Sequence, residues 1–390
     1  MMKVKHFSYF ALFPIFIFSC HNERSSPNVQ AQLLFKKSVS IPITEEVALA
    51  SIAKFCYVEI DGKKCFSLMD EAYKLIQLYD LENFSMLKEI RIQDSKYGSH
   101  HGSYMIHNLD TIFLLDYMNS KLYIINDEGV TKNVIDIRTE ALLETEQQHG
   151  NPHVPYPMDA FNSNGFEYHD GKVFLTSSGM ETVNYTKNLK EIFVIDLAND
   201  SVYLVMNKPS IYFDGYWGPH ILHNFQFIYN ENKNEFVVGH GVDNNVYTTD
   251  FISPSIAHPM RSKYLEKMKP YGKRKPSQYS KSPKIEKYSV TNGFYSRLYY
   301  DPYVHRYYRF VDKPVTSKDY NLSQLTGAST TRLSMIVTDE NFENKFEIDL
   351  DTIRLCPAFI CDDELYFIDK NAYNHNSDSL YFDIYQLDFQ

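Results

Sequence analysis

Histidine and aromatic residues carry most of the chemical signal in this sequence. At least five of the 14 histidines fall in three consecutive stretches between strand-like runs, and the one tryptophan falls among them. The residues are Tyr97, His100, His101, His149, His153, Tyr156, Tyr212, Asp214, Tyr216, Trp217, His220, His240 and Asp243. Two chemistries fit. Tyr156, Tyr212, Tyr216 and Trp217 would make a stacking platform for a sugar or aromatic ligand, with Asp214 and His220 supplying orienting hydrogen bonds. Alternatively His100 or His101, His153, His220 and His240, with Asp214, would hold a metal and activate water. No HExxH or comparable spacing supports the metal, so its ligands would have to converge from distant segments. The plain alternative is that these side chains pack and cap long loops.

A second chemical feature is Cys20. Lys3 and Lys5 precede an apolar run from Phe7 to Phe18, and Ile17-Phe18-Ser19-Cys20 looks like a bacterial lipobox. A basic start, a short apolar core and a small residue before the cut make a secretory signal. The run is shorter than the about 20 apolar residues a membrane-spanning helix needs. Residues 1–19 are therefore expected to be removed, Cys20 to be lipidated, and residues 20–30 to form a tether. The expected location is the cell envelope, at the outer membrane, with the periplasmic and surface sides left open.

Charge narrows the partners. The chain carries a net charge of -10, and removal of residues 1–19, with two lysines and no acid, takes it to -12. That balance argues against nucleic acid, whose phosphates demand basic patches. One stretch runs the other way: Arg261–Lys287 holds ten Lys/Arg against two Glu. Lys269, Lys273, Arg274 and Lys275 sit at its centre. It would suit anionic headgroups, phosphorylated glycans or an acidic partner, or be a solvated insertion.

Several chemistries find no support. No Gly-rich phosphate loop, GxSxG elbow or kinase set occurs, and no motif indicates a cofactor. Cys56, Cys65, Cys356 and Cys361 show no zinc spacing. In a hairpin about Asp61-Gly62, Cys56 and Cys65 fall diagonally on one face, giving a strained bridge or, more simply, buried thiols. Asp61, Asp110, Asp170 and Asp362 invite a calcium reading, but Asp suits tight turns and no EF-hand spacing occurs.

The elements that must position these residues are strands. The chain has 31 Tyr and 27 Phe, a load that suits sheets packed on sheets. One pattern recurs: an apolar strand, a turn of Asp, Asn, Gly, Glu or Lys, then an alternating aromatic strand. The turns are Asp61-Gly62, Asn108-Leu109-Asp110, Asp170-Gly171, Asn230–Asn234, Asp301–His305 and Asp362-Asp363. They lie roughly 50–70 residues apart, longer than the about 40–45 of compact WD-type repeats. Third and fourth strands follow most of them, for example Lys121–Ile125 then Val130–Ile135, and Glu191–Leu197 then Ser201–Met206. Four antiparallel strands repeated six times describe a six-bladed β-propeller, an all-β fold. The last unit supplies three strands, and a spare strand near Leu33–Ile43 would complete it and remove both sheet edges. Residues 31–390 are thus read as one domain, with a short helix at Thr139–Gln148.

With its lipobox and strand pattern, the chain resembles the six-bladed β-propeller lipoproteins of Bacteroidota grouped as a domain-of-unknown-function family. A related group carries Gly-x-Gly-Pro-Gly-Glu-Tyr between early blades. Here Tyr97-Gly98-Ser99-His100-His101-Gly102-Ser103-Tyr104 takes that place and departs from it. The resemblance implies fold and location and hands over no functional residues. The expected role is binding of a glycan, peptide or protein partner. The alternatives are a hydrolase or lyase using the histidines, and a scaffold docking an acidic partner through residues 261–287.

Overall fold

A computed structural model describes residues 31–43, 52–70, 74–94, 103–148, 157, 165–177, 190–218, 220–223, 225–266, 268–273, 283–326, 332–351, 356–368 and 379–389. Blade one is β2 (Ile52–Ile60), β3 (Lys63–Asp70), β4 (Leu75–Asp80) and β5 (Met86–Arg91). Blade two is β6 (Tyr104–Asn108), β7 (Thr111–Asp116), β8 (Lys121–Ile125) and β9 (Thr131–Asp136). Blade three is β10 (Phe166–His169), β11 (Lys172–Thr176), β12 (Lys190–Asp196) and β13 (Ser201–Asn207). Blade four is β14 (Phe225–Asn230), β15 (Glu235–His240), β16 (Asn245–Thr249) and β17 (Ile256–Pro259). Blade five is β18 (Phe294–Asp301), β19 (Arg306–Asp312), β20 (Leu333–Asp339) and β21 (Lys345–Asp349). Blade six is β22 (Cys356–Cys361), β23 (Glu364–Ile368), β24 (Ser379–Phe389) and, from the other end of the chain, β1 (Ala31–Pro42).

Each blade is an antiparallel meander, and the first strands touch in the cycle β2, β6, β10, β14, β18, β22 and back to β2. That cycle is the ring of a six-bladed propeller. Pairing of Ala31 with Phe389 through to Pro42 with Ser379 closes it, as the spare strand predicts. The core is six wedges, one between each pair of neighbouring blades. Phe66, Tyr79, Phe359 and Phe382 fill the wedge at the closure.

In such a meander the first-to-second and third-to-fourth turns share one side, here called lower. The second-to-third loops and the connections between blades share the upper side. The recurring turns are all first-to-second turns. Asp61-Gly62, Asp170-Gly171 and Asp362-Asp363 have positive φ at both central positions (51° and 75°, 48° and 72°, 56° and 62°). Type I′ turns demand this, because their twist matches that of the flanking strands. The expected short helix is present as α1 (Glu140–Gln148), capped by Thr139 Oγ1, which accepts the Leu142 N–H at 3.2 Å.

One expectation holds in its simpler form, buried thiols, and another needs adjusting. Cys56 and Cys65 do lie diagonally across the β2–β3 pair, opposite Ser67 and Val58, and no bridge joins them. The Cys56 thiol donates to the Tyr104 carbonyl at 3.6 Å. Nor is Arg261–Lys287 uniformly solvated. Ser262 and Leu265 are buried, Gly272 pairs with Tyr216, and residues from Pro283 begin α2 (Pro283–Asn292). A third helix, α3 (Ser317–Thr326), packs against α2 on the upper side.

Candidate functional site

The upper ends of blades three and four bring together part of the expected site, but inside the protein. The chain leaves β13 through Lys208-Pro209 into a one-turn 3₁₀ helix, Ser210–Phe213. Pro209 fits there because its fixed φ of -59° and missing N–H suit the residue before a helical turn. The turn drives Tyr212 inward, where its hydroxyl donates to the Leu222 carbonyl at 2.9 Å and its ring stacks on His223. Trp217 is buried beside it, with Nε1 donating to the Ile211 carbonyl at 2.9 Å. Leu222 and Val242 complete this cluster. A stacking platform needs an open ring face, so the buried Tyr212 and Trp217 are a wall rather than a platform. Tyr216 is buried too, while Asp214 is exposed.

Behind that wall lies a buried charged triad. Glu191, at the start of β12, takes Lys208 Nζ at 2.9 Å on one oxygen and His240 Nε2 at 3.0 Å on the other. All three side chains are at most 2% exposed. Burial alone would push the Glu191 carboxyl up. The Lys208 charge and the hydrogen bonds from His240 and Lys208 outweigh it and hold the pKa at about 2. The Lys208 ammonium also lies 4.4 Å from the Tyr212 ring centroid. Because an ionised Glu191 can only accept, Nε2 carries a proton. Nδ1 is buried, with no hydrogen-bond partner among the described residues.

A second buried charge ties blade five to this region. Arg309, in the middle of β19, donates to the carbonyls of Met260, His240 and Asp243 at 3.0, 2.9 and 2.7 Å. Its guanidinium stacks on Tyr295, 3.5 Å from the ring centroid. Asp243 in turn accepts the Tyr247 hydroxyl at 2.6 Å. Burial and that carboxylate push the Tyr247 pKa up to about 12, so the phenol stays protonated.

Tyr247 leads from these charges to a cleft of about 420 Å³ between blades three and four. Met206, Pro209, Tyr247 and Phe251 give it apolar surface, and Asn207, Ser210, Thr249, Ser253 and Ser255 give it amides and hydroxyls. Met206 and Phe251 both have positive φ, 59° and 61°. Left-handed backbone in a large non-Gly residue costs about 1–3 kcal/mol and persists only where surroundings impose it.

The other expected residues divide simply. Tyr97, His100, His101, His149, His153, Tyr156, Arg274 and Lys275 lie outside the described residues, as does Cys20. His220 opens a 3₁₀ helix, His220–His223, and its side chain is outside the description. Lys269 and Lys273 are exposed on the upper side. Among the described residues no group of three or more His, Cys, Asp or Glu converges to hold a metal ion.

A family profile described as "Domain of unknown function (DUF4221)" matches residues 40–345. The chain belongs to the DUF4221 family. A crystal structure of a DUF4221 member from Bacteroides vulgatus superimposes with a TM-score of 0.69 at 19% identity, covering 92% of this chain and 98% of that one. A candidate exported protein from Bacteroides fragilis superimposes at 0.54 with 11% identity, covering 92% and 95%. These likenesses bear on the fold. No curated protein sequence matches the chain.

In this DUF4221 chain, histidine and aromatic counting found His240, Tyr212 and Trp217 but missed Glu191, Lys208, Arg309 and Tyr247. A signal was available for two of them. Glu191 opens the otherwise apolar Ile192-Phe193-Val194-Ile195, and Arg309 interrupts Tyr307-Tyr308-Phe310-Val311. A charge inside a core strand must be paired, and the pairing marks a built site.

Proposed function

We propose that this chain is an exported, lipid-anchored binding propeller that takes a neutral glycan in the cleft between blades three and four. The lining of that cleft carries the reading. Among the described residues it holds two aromatic rings, several hydroxyls and one side-chain amide, and no charged side chain. A sugar has hydroxyl edges and C–H faces, and these need such donors, acceptors and flat apolar surfaces. The cleft volume falls in the about 300–1,000 Å³ range of small-ligand sites. The buried triad and Arg309 brace its wall, so ordering costs on binding are low.

A second reading, a hydrolase or lyase, draws on the Glu191–His240 pair, whose carboxylate orients an imidazole as in acid–base catalysis. A general base must reach its substrate's proton. The sealed Nδ1 favours binding instead. For the anchor, the support is the basic start, the apolar run and Ile17–Cys20, together with the name given to the Bacteroides fragilis neighbour. The outer membrane is the expected site.

The test is thermal unfolding of the purified lipidated chain against neutral glycans and uncharged peptides. A ligand at a hundredfold excess over Kd stabilises the fold by about 2.7 kcal/mol. We expect the shift with a glycan, its loss in Tyr247→Ala and its partial retention in Tyr247→Phe. A shift with peptides alone, or one indifferent to Tyr247, overturns the glycan site. Cys20→Ser should move the protein from the membrane to the soluble fraction.

A further inference from the structure

The start of the described chain and most of the exposed apolar side chains lie on the same side of the ring. β1 runs antiparallel to β24, so Ala31 sits opposite Phe389 and Pro42 opposite Ser379. The end of β24 is on the lower side, and Ala31 is therefore there too. Lys36 confirms the placement by pairing with Glu364, next to the lower turn of blade six. Fully extended, the segment from Cys20 to Ala31 spans at most about 40 Å. A lipid on Cys20 thus pulls on the lower edge.

That side carries an apolar fringe. Ile252 (91% exposed) lies in the β16–β17 turn, Ile256 (63%) begins β17, and Phe35 (56%) lies in the first half of β1. Met86 begins β5, Val130 lies in the β8–β9 turn and Tyr303 in the β18–β19 turn, all exposed. Five of the six blades contribute to these positions. Lys64 pairs there with Asp362, Lys88 with Asp127, Lys132 with Asp110 and Arg306 with Asp363, while Asp61, Glu82, Glu128, Asp170, Asp200, Glu231, Asp250 and Glu343 are exposed acids in the same turns. The upper side differs. It exposes Met118, Leu322 and Leu325, but also Lys269, Lys273, Lys284 and Lys318.

We infer that the lower side rests on the bilayer that holds the lipid, with the apolar fringe at the headgroup level and the lysine-bearing upper face turned away. This rests on the lipid-anchor reading above. An apolar fringe fits an interface between water and hydrocarbon, where single exposed side chains spread over several blades share the contact. Because acids outnumber bases in those turns, contact with an anionic bilayer should tighten as salt screens the repulsion.

The test uses the lipidated chain in vesicles of phosphatidylethanolamine and phosphatidylglycerol. A fluorophore is placed on Ile252→Cys or on Leu325→Cys, and the vesicles contain a headgroup-level nitroxide lipid. Cys56, Cys65 and Cys361 are buried, and the parent chain corrects for labelling elsewhere. We expect the lower label to lose at least half its emission at high salt and less at low salt, and the upper label to keep its emission in both. Equal quenching, or quenching at Leu325→Cys alone, overturns the orientation. If sedimentation with vesicles depends on Cys20 while the Ile252→Cys label stays bright, the orientation falls and the anchor stands. If neither the parent nor Cys20→Ser sediments, the anchor reading falls and takes the orientation with it.

Discussion

The two sides of the ring solve the same problem, holding neighbouring blades together, with different chemistry. On the lower side short turns clasp each other through half-exposed rings and polar groups. His107 packs on Tyr168 at 4.3 Å between ring centroids, and His169 on Tyr229 at 3.9 Å. Asn232 donates to the Tyr300 hydroxyl at 2.8 Å, and past blade six the Tyr303 hydroxyl of blade five donates to Glu59 of blade one at 2.6 Å. On the upper side, blades three to five are held by fully buried charges. A wet clasp is cheap to make and cheap to lose, because water replaces any missing partner. A buried charge is costly to remove singly, because nothing replaces its partner. The difference teaches where change is tolerated: the lower turns accept substitution, and the upper wall of the cleft does not.

The sharpest challenge to that contrast is Glu191→Gln. It leaves Lys208 buried without its counter-charge and should cost about 3–5 kcal/mol in urea unfolding. The companion Glu191→Gln/Lys208→Met should recover most of the loss, since a pair removed together leaves no orphan charge. A loss as large in the double variant would mean that packing, not charge, matters there.

The same pair sets a pH dependence. The Glu191 pKa is held at about 2 in the folded protein, below its ordinary 4.5. Its contribution to stability is therefore present above about pH 4.5 and is lost as pH falls towards 2. Wild type should lose stability through that window, and the double variant should lose less. Parallel pH profiles would count against an ionised Glu191.

Next in size is Arg309→Met. It strips donors from three buried carbonyls, and each buried group left unsatisfied costs about 1–3 kcal/mol. Smaller effects belong to the lower side. Gly171→Ala adds a side chain into open space but at φ +72°, so the cost should be about 1–2 kcal/mol from backbone strain. Smallest is Tyr303→Phe, about 0.5–1.5 kcal/mol by equilibrium unfolding. If the two lower-side variants cost as much as Glu191→Gln, the contrast between the sides is broken.

Much of the lower side was legible in the sequence, because its determinants are local. Asp-Gly between alternating runs dictates a type I′ turn wherever it occurs, and Asp170-Gly171 adopts one. The spare strand near Leu33–Ile43 was legible by counting, since an incomplete last blade leaves edges that need a partner. The candidate site was legible only in part. His240, Tyr212, Asp243 and Trp217 were placed on the correct side, because alternation of turns and loops assigns each loop to a side. Their burial was not legible. Whether Trp217 faces water depends on the fold of Lys208–Phe213 and on Leu222 and Val242, which come from elsewhere in the chain.

By itself, the sequence determined the strands, the turns, the number of blades and the closing segment. Each follows from a period of two, a turn dipeptide or a missing partner, all of which act within a few tens of residues. Tertiary structure alone decided that Glu191, Lys208 and His240 meet, that Arg309 serves three carbonyls, and which uncharged residues line the cleft. Those groups come from different strands and blades, and a charge is stable in the core only where the folded chain brings its partner to it.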